Sequence, residues 1–253
     1  MTADLRARIR AGETLIGSFA DLASPLAAEL LGQAGMDWAV LDLEHGESTE
    51  ADLLALLYAV GTTSMAPIVR PPSAERLRVG RALDLGAAGI MLPQLGSIEE
   101  VRQAVSYLRY PPVGQRGVAL RTRGADMGAL AHADVARVVN ERIVGIVQIE
   151  SRGAAAAADE IAALEEVDVL FVGPADLSHA LGVPGRFDDA TYLEAIGSVV
   201  AACGRHGKAA GILIYDAAAL PRHLELGFRF IGLGSQGSYV SAGARAMLAA
   251  AGR

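Results

Sequence analysis

The sequence predicts a single (β/α)8 barrel spanning residues 1–253. Eight short apolar runs alternate with longer segments of helical period, which points to a parallel sheet joined by right-handed crossovers. Eight strands and about 250 residues are what one closed barrel needs. The rival fold, a doubly wound open sheet, calls for a G-x-G-x-x-G turn after its first strand, and none is present.

Taken in order, "MTADLRARIRAGE" at the N-terminus reads as the start of a charged amphipathic helix, with no apolar signal-peptide region behind it. The strand candidates follow at 16–19 (IGSF), 38–44 (WAVLDLE), 66–71 (APIVRP), 89–95 (GIMLPQL), 143–150 (IVGIVQIE), 167–174 (VDVLFVGP), 208–214 (KAAGILI) and 228–235 (FRFIGLGS). Between them "SPLAAELLGQAG", "TEADLLALLYAVG", "SAERLRVGRALDLGA" and "SIEEVRQAVSYLR" carry helical spacing. These open on Ser or Thr as expected N-caps, and several close on Gly. Residues 110–142 form the one oversized connection, expected to lay a loop and an extra helix over the barrel mouth.

Composition narrows the function. The chain is 52% hydrophobic and 20% charged, enough to bury a large core. Its net charge of −7 and the lack of a basic stripe argue against a nucleic-acid surface. No apolar run reaches the roughly 18 residues that span a bilayer. Cys203 is the only cysteine, so no internal disulfide forms, a reducing cytoplasm is expected, and the residue reads as a small buried helix position.

The unusual polar residues fall at one end of the strands. Glu44 and His45 close strand two, Arg70 strand three, Gln94 strand four, Gln148 and Glu150 strand five, and Asp176 lies two residues past strand six. C-terminal strand ends of a barrel converge on one mouth, where barrel enzymes work. Strand alternation puts Gln148 and Glu150 on one face, and likewise Asp42 and Glu44.

Glu150 and Asp176, from adjacent strands, are a donor pair for a hard divalent cation such as Mg²⁺, Mn²⁺ or Co²⁺. Singly, each reads as a helix cap; together with Gln148 they read as a site. Arg70 is placed to face an anion. His132, His179, His206 and His223 fall in helices or their flanks and read as surface or capping residues, which leaves His45 as the histidine of the site. Lys208, the only lysine, begins strand seven at the wrong end of the barrel and excludes a Schiff-base mechanism. The glycines of "GLGSQG" could line a small anion pocket after strand eight.

"WAVLDLEHG", "PIVRP", "LDLGAAGIMLPQL", "RYPPVGQRGV", "IVQIES" and "FVGPADLS" closely resemble, in order and in register, the HpcH/HpaI family of metal-dependent class II pyruvate aldolases. The resemblance implies a (β/α)8 barrel assembled as a homo-hexamer, its last helix exchanged between subunits. It also implies retro-aldol cleavage of 4-hydroxy-2-oxo acids to pyruvate or hydroxypyruvate plus an aldehyde. By motif, Glu150 and Asp176 would be the metal ligands, and Gln148, Ala175 and Asp176 would contact the substrate. His45 would be the base, Asp84 would raise its pKa, and Arg70 would stabilise the enolate. Two positions depart from the pattern and bear on acceptor specificity: Gln236, where many relatives carry Asp, and Gly124, where Ala is common. A CoA-thioester lyase of the malyl-CoA or citrate-lyase β type, and a non-catalytic 2-oxo-acid-binding barrel, are the alternatives. The first lacks the basic surface that CoA needs.

Overall fold

Each apolar run of the sequence becomes a strand, and the eight strands pair in chain order into a closed parallel barrel. The computed structural model describes residues 5–253; the first four residues of the expected N-terminal helix lie outside them. The strands are β1 (Leu15–Ala20), β2 (Trp38–Asp42), β3 (Ala66–Arg70), β4 (Gly89–Leu92), β5 (Val144–Ile149), β6 (Val169–Val172), β7 (Ala209–Ile214) and β8 (Phe230–Ser235), and β8 returns to pair with β1. Several stop short of the expected ends. Residues 43–44, 93–95 and 173–174 leave the ladder, and Glu44, Gln94, Leu95, Gly173 and Pro174 among them line the mouth instead.

Period-two alternation sorts the strand side chains into two cores. The inward set fills the barrel: Val40, Ile68, Met91, Ile146 and Val169 surround an aromatic cluster in which Trp38 stacks on Phe230 at 4.2 Å and Phe171 meets both edge-on. The outward set packs against the helices in a second, larger cluster. Each fully buried aliphatic or aromatic side chain contributes roughly 1.5–3 kcal/mol.

α1 (Leu5–Arg10) closes the base, with Leu5 and Ile9 joining the inner core. Its Arg6 donates to the buried carboxylate of Asp168 at 2.8 Å, and Arg10 and Arg109 lie 3.7 and 3.8 Å from the same group. Burial, with Arg6 nearby, pushes the Arg109 guanidinium down to about 10.

The outer helices are α2 (Pro25–Gln33), α3 (Leu53–Val60), α4 (Arg76–Asp84), α5 (Ile98–Ser106), α6 (His132–Arg142), α7 (Arg152–Ala156), α8 (Ala158–Ala162), α9 (Pro174–Ala180), α10 (Ala190–His206), α11 (Leu220–Leu226) and α12 (Gln236–Ala250). Ser24 and Ser97 cap α2 and α5 through their hydroxyls, as the sequence suggests. The expected caps of α3 and α4 do not form: those helices start later, at Asp52 and Glu75, and Thr49 bonds the Asp52 carboxylate instead. Cys203 is buried in α10 as expected, its thiol pushed up to about 12 by burial. Among the described residues no helix is long and apolar enough to cross a membrane.

Residues 110–142 do not cover the mouth. They run along the outer flank of α4 toward the base, and none of them lines the mouth cavity. The anchors explain the course: buried Arg116 donates to Asp84 at the end of α4, Arg123 Nε donates to the Leu85 carbonyl, and Asn140 brackets the backbone of Tyr110. Gly124 belongs to this docking, since a Cβ there would fall on the Leu83 carbonyl. The extra helix expected in this segment is α6, which leads down into β5.

α12 behaves differently from every other helix. Ser235 and Ser238 form a reciprocal capping box at its start, but all residues from Val240 onward are exposed. Val240 and Met247 are 66% and 74% exposed, although the helix carries a single charge, Arg245.

Candidate active site

The mouth is organised around one cross-strand pair. Asp42 ends β2 and Arg70 ends β3, and the two are register partners, so alternation aims both inward above the aromatic core. Arg70 donates Nε to Asp42 Oδ1 at 2.8 Å and Nη2 to Oδ2 at 2.6 Å, a bidentate fork. Its guanidinium also lies 5.1 Å from the Phe19 ring centroid. Burial acts to lower the Arg70 pKa, but the hydrogen bonds to Asp42 and the charges of Asp42, Glu44 and Glu150 outweigh it and raise it above the ordinary value.

Asp42 Oδ1 also accepts from the backbone N–H groups of Glu44 and His45, at 3.1 and 3.3 Å. An aspartate capping its own turn is a common local device, and here it fixes the sharp exit of "DLEHG". The turn delivers Glu44 to Arg70, with Oε2 3.2 Å from Nη1, and leaves the His45 ring 63% exposed, Nε2 3.9 Å from Glu44.

Gln94, just past β4, sits at φ +57, where a residue with a Cβ is strained. The strained backbone serves two carboxylates: its N–H donates to Glu150 Oε1 at 2.6 Å and its side-chain Nε2 to Glu44 Oε1 at 2.6 Å.

Glu150 Oε2 accepts from Gln148 Nε2 at 2.8 Å, and Gln148 Oε1 is buried without a partner. Gly173 lets this pair approach, since a Cβ there would lie 3.2 Å from Glu150 Oε2. Burial pushes the Glu150 carboxyl above its ordinary range; the Gln94 N–H pulls it back, and Glu44 and Asp176 push it further up. Asp176, in the first turn of α9, is exposed and makes no hydrogen bond or ion pair among the described residues.

His45, Arg70, Gln148, Ala175 and Asp176 line one cavity of about 590 Å³. Glu150 faces an adjoining cleft of about 300 Å³ with Glu44, His45, Gln94 and Asp176. His223, read from sequence as a surface residue, also lines the larger cavity. The glycines after β8 form no free anion pocket, because the Gly237 N–H donates to the Asp21 carboxylate at 3.0 Å. Lys208 lies at the base, its ammonium donating to the carbonyls of Leu164 and Val167 at 2.9 and 2.6 Å.

Asp84 stands apart from this group. It ends α4 at the opposite end of the barrel, where Arg116 Nη2 donates to it at 2.8 Å and where no contact with His45 of the same chain exists.

Residues 15–242 match the HpcH/HpaI aldolase/citrate lyase family. The chain belongs to that family. Its HpcH/HpaI relatives include a hydroxypyruvate/pyruvate aldolase of Paraburkholderia phytofirmans, 39% identical and covering 92% of this chain and 91% of that one. A 5-keto-4-deoxy-D-glucarate aldolase of Klebsiella pneumoniae is 39% identical over 91% and 89% of the two chains. The crystal structure of a family protein from Burkholderia cenocepacia superposes with a TM-score of 0.92 at 35% identity, covering 98% of this chain and 99% of that one. Membership makes this HpcH/HpaI chain a carbon–carbon lyase.

The donor set suits a divalent cation. Among the described residues no group of three or more His, Cys, Asp and Glu side chains is arranged around one metal position. What is present is an oxygen-only pair, Glu150 and Asp176, in a cleft whose third carboxylate, Glu44, is already engaged by Arg70 and Gln94. Two protein carboxylates with positions left to water and substrate is the usual arrangement for Mg²⁺. Burial raises the Glu150 pKa first, and the charges of Glu44 and Asp176 add to it; that repulsive part is what a cation would relieve.

Proposed function

We propose that the protein is a divalent-metal-dependent class II aldolase. It would cleave 4-hydroxy-2-oxo acids reversibly to pyruvate, or hydroxypyruvate, and an aldehyde. The observation that carries this reading is the convergence of His45, Arg70, Gln148 and the Glu150–Asp176 pair on one mouth, with the only lysine at the other end.

Glu150 and Asp176 would hold Mg²⁺, Mn²⁺ or Co²⁺, which supplies a Lewis acid for the 2-oxo group. The residues of the chain account for the rest. Gln148 and the backbone at Ala175 orient the pyruvoyl half. His45 accepts the proton of the C4 hydroxyl as the C3–C4 bond breaks, and C4 leaves as the aldehyde carbonyl. The electron pair of that bond passes into the enolate of the 2-oxo acid, whose developing charge Arg70 meets. Because Asp42 holds the guanidinium in a fixed fork, Arg70 needs little reorganisation as the charge appears. Proton uptake at C3 completes the product.

Two further parts of the reading concern assembly. The exposed, nearly uncharged α12 suits a homo-hexamer in which this helix packs on a neighbouring subunit. Asp84 is held by Arg116 away from its own mouth, so the only His45 it would reach in such an assembly is that of a neighbouring copy. A buried lone cysteine suits a reducing compartment, the cytoplasm.

The test is pyruvate release from a panel of 4-hydroxy-2-oxo acids of varied length and charge. EDTA abolishes the release, and added Mg²⁺, Mn²⁺ or Co²⁺ restores it. Activity that survives complete chelation sinks the metal-dependent mechanism, and cleavage confined to CoA thioesters replaces the substrate class.

A further inference from the structure

The cavity does not end at the catalytic groups. Past Arg70 and Gln148 it continues over the end of β7 into an arm between α10 and α11, lined by Phe187, Tyr192, Leu193, Ile196, Ile214 and Leu226. A volume of about 590 Å³ lies within the range of sites that enclose drug-sized ligands, far more than a three-carbon 2-oxo acid fills. Tyr192 and Ile196 are 2% exposed, and Phe187 packs edge-on against Tyr192 at 5.4 Å, so the wall is a built surface. The arm is also dry chemistry: burial holds the Tyr192 phenol up at about 12 and therefore neutral. The charged or titratable groups on the α11 side of the lining are Asp216, Arg222 and His223; Asp216 accepts from the Ala218 N–H at 2.9 Å and His223 Nδ1 lies 2.8 Å from the Ala219 carbonyl oxygen.

We infer that this arm is the subsite for the aldehyde half of the substrate and that it selects an apolar tail, aliphatic or aryl. The inference rests on the aldolase reading and deepens it. With the pyruvoyl half at Gln148 and Ala175, the substituent on C4 has the arm as its apolar outlet from the same cavity. A polyhydroxylated tail would give up hydrogen bonds to water there and find few partners in return. An alkyl tail gains with each methylene removed from water. This separates the chain from a relative that acts on a sugar-acid derivative.

The experiment uses the native assembly with added Mn²⁺ and pyruvate as donor, and compares kcat/KM across alkanals from ethanal to heptanal, benzaldehyde, glycolaldehyde and glyceraldehyde. The alkanal values rise about fourfold per methylene until the arm is full. Hydroxylated aldehydes fall at least tenfold below alkanals of equal length. Calorimetry adds a readout free of turnover: 2-oxo acids from 2-oxobutanoate to 2-oxooctanoate, which lack the 4-hydroxyl, bind more tightly as the tail lengthens. Ala219→Trp, which fills the arm from its lining, and Leu193→Asp, which charges it, each flatten both series. Flat series in the unaltered protein, or a preference for hydroxylated aldehydes, overturn the inference. Tail-dependent binding without aldol product from any donor and acceptor upholds the arm and overturns the aldolase reading instead.

Discussion

The guanidinium of Arg70 grips both oxygens of Asp42 across one rung of the barrel, at 2.8 and 2.6 Å, and the same aspartate caps the turn that carries His45. One buried carboxylate thus fixes the cation of the site and the backbone of its base. Asp42→Ala leaves Arg70 buried beside Glu44 without its fork and costs about 3–5 kcal/mol, read from urea unfolding. Arg70→Lys keeps the charge and loses the bidentate geometry, so kcat/KM falls about 10²–10³-fold. Unchanged exchange of solvent protons into pyruvate by the Arg70→Lys variant would remove Arg70 from the enolate step.

Glu150 sets the behaviour of the carboxylate cleft with pH. Its folded pKa is raised above the ordinary value by burial, opposed by the Gln94 N–H and reinforced by Glu44 and Asp176. The sign follows from linkage: the stability associated with its bound proton is complete below the unfolded pKa of about 4.5 and is lost as pH rises through the higher folded value. Without metal, Glu150→Gln is therefore more stable than the wild type at neutral pH, and the difference closes on acidification toward pH 4.5. A divalent cation at about 100 times its Kd stabilises the wild type by ~2.7 kcal/mol. Calorimetric scans with and without Mn²⁺ check both parts; a variant that still responds fully to the cation takes Glu150 out of the ligand set.

His45 separates catalysis from stability. Its ring is 63% exposed and its nearest charged neighbour, Glu44, is 3.9 Å away. His45→Ala shifts unfolding by no more than about 0.5 kcal/mol, while the aldol step slows about 10²–10⁴-fold. Single-turnover rates with a preferred substrate measure the second effect, and wild-type rates would leave the base elsewhere.

At Gln94 strain and function trade against each other. Gln94→Gly releases roughly 1 kcal/mol of left-handed strain and loses a side-chain hydrogen bond worth about as much, so stability stays near that of the wild type. Gln94→Ala keeps the strain, loses the bond and falls by ~1 kcal/mol. Thermal unfolding of the two variants side by side shows whether glycine exceeds alanine, and equal stabilities would mean that the observed φ of +57 carries no strain.

Ending the chain at Tyr239 removes the exposed part of α12 while keeping its capping box. Light scattering then reports a mass below that of the full-length assembly, and circular dichroism retains the barrel signal. An unchanged oligomer assigns assembly to another surface.

The barrel was legible because strand period and strand count are local signals: each of the eight apolar runs became a strand within a few residues. The convergence of His45, Arg70, Gln148 and Asp176 followed from topology alone, since parallel strands put their C-terminal ends together, whereas Ala175 came only with the family resemblance. The Asp42–Arg70 fork was less visible, because it depends on register between strands, which nothing in "VLDLEHG" or "PIVRP" states. Gln94 was placed at the mouth by its strand end, but its left-handed backbone gave no signal, as glutamine is not a residue that marks a left-handed turn. The course of residues 110–142 was misread because a long connection announces its length, not its anchors, and the Arg116–Asp84 and Arg123–Leu85 contacts span more than 30 positions.

Trp38 is the only tryptophan of the chain, fully buried and stacked on Phe230, with its indole N–H unpaired. Excited at the red edge, where the tyrosines do not absorb, the molecule thus has one emitting indole, seated in the layer beneath the reacting groups. Its emission lies near the apolar, blue limit in the folded state and moves red only when the barrel itself opens. Loosening of the rim or of α12 leaves that signal untouched, so a single optical channel distinguishes collapse of the floor from changes at the periphery.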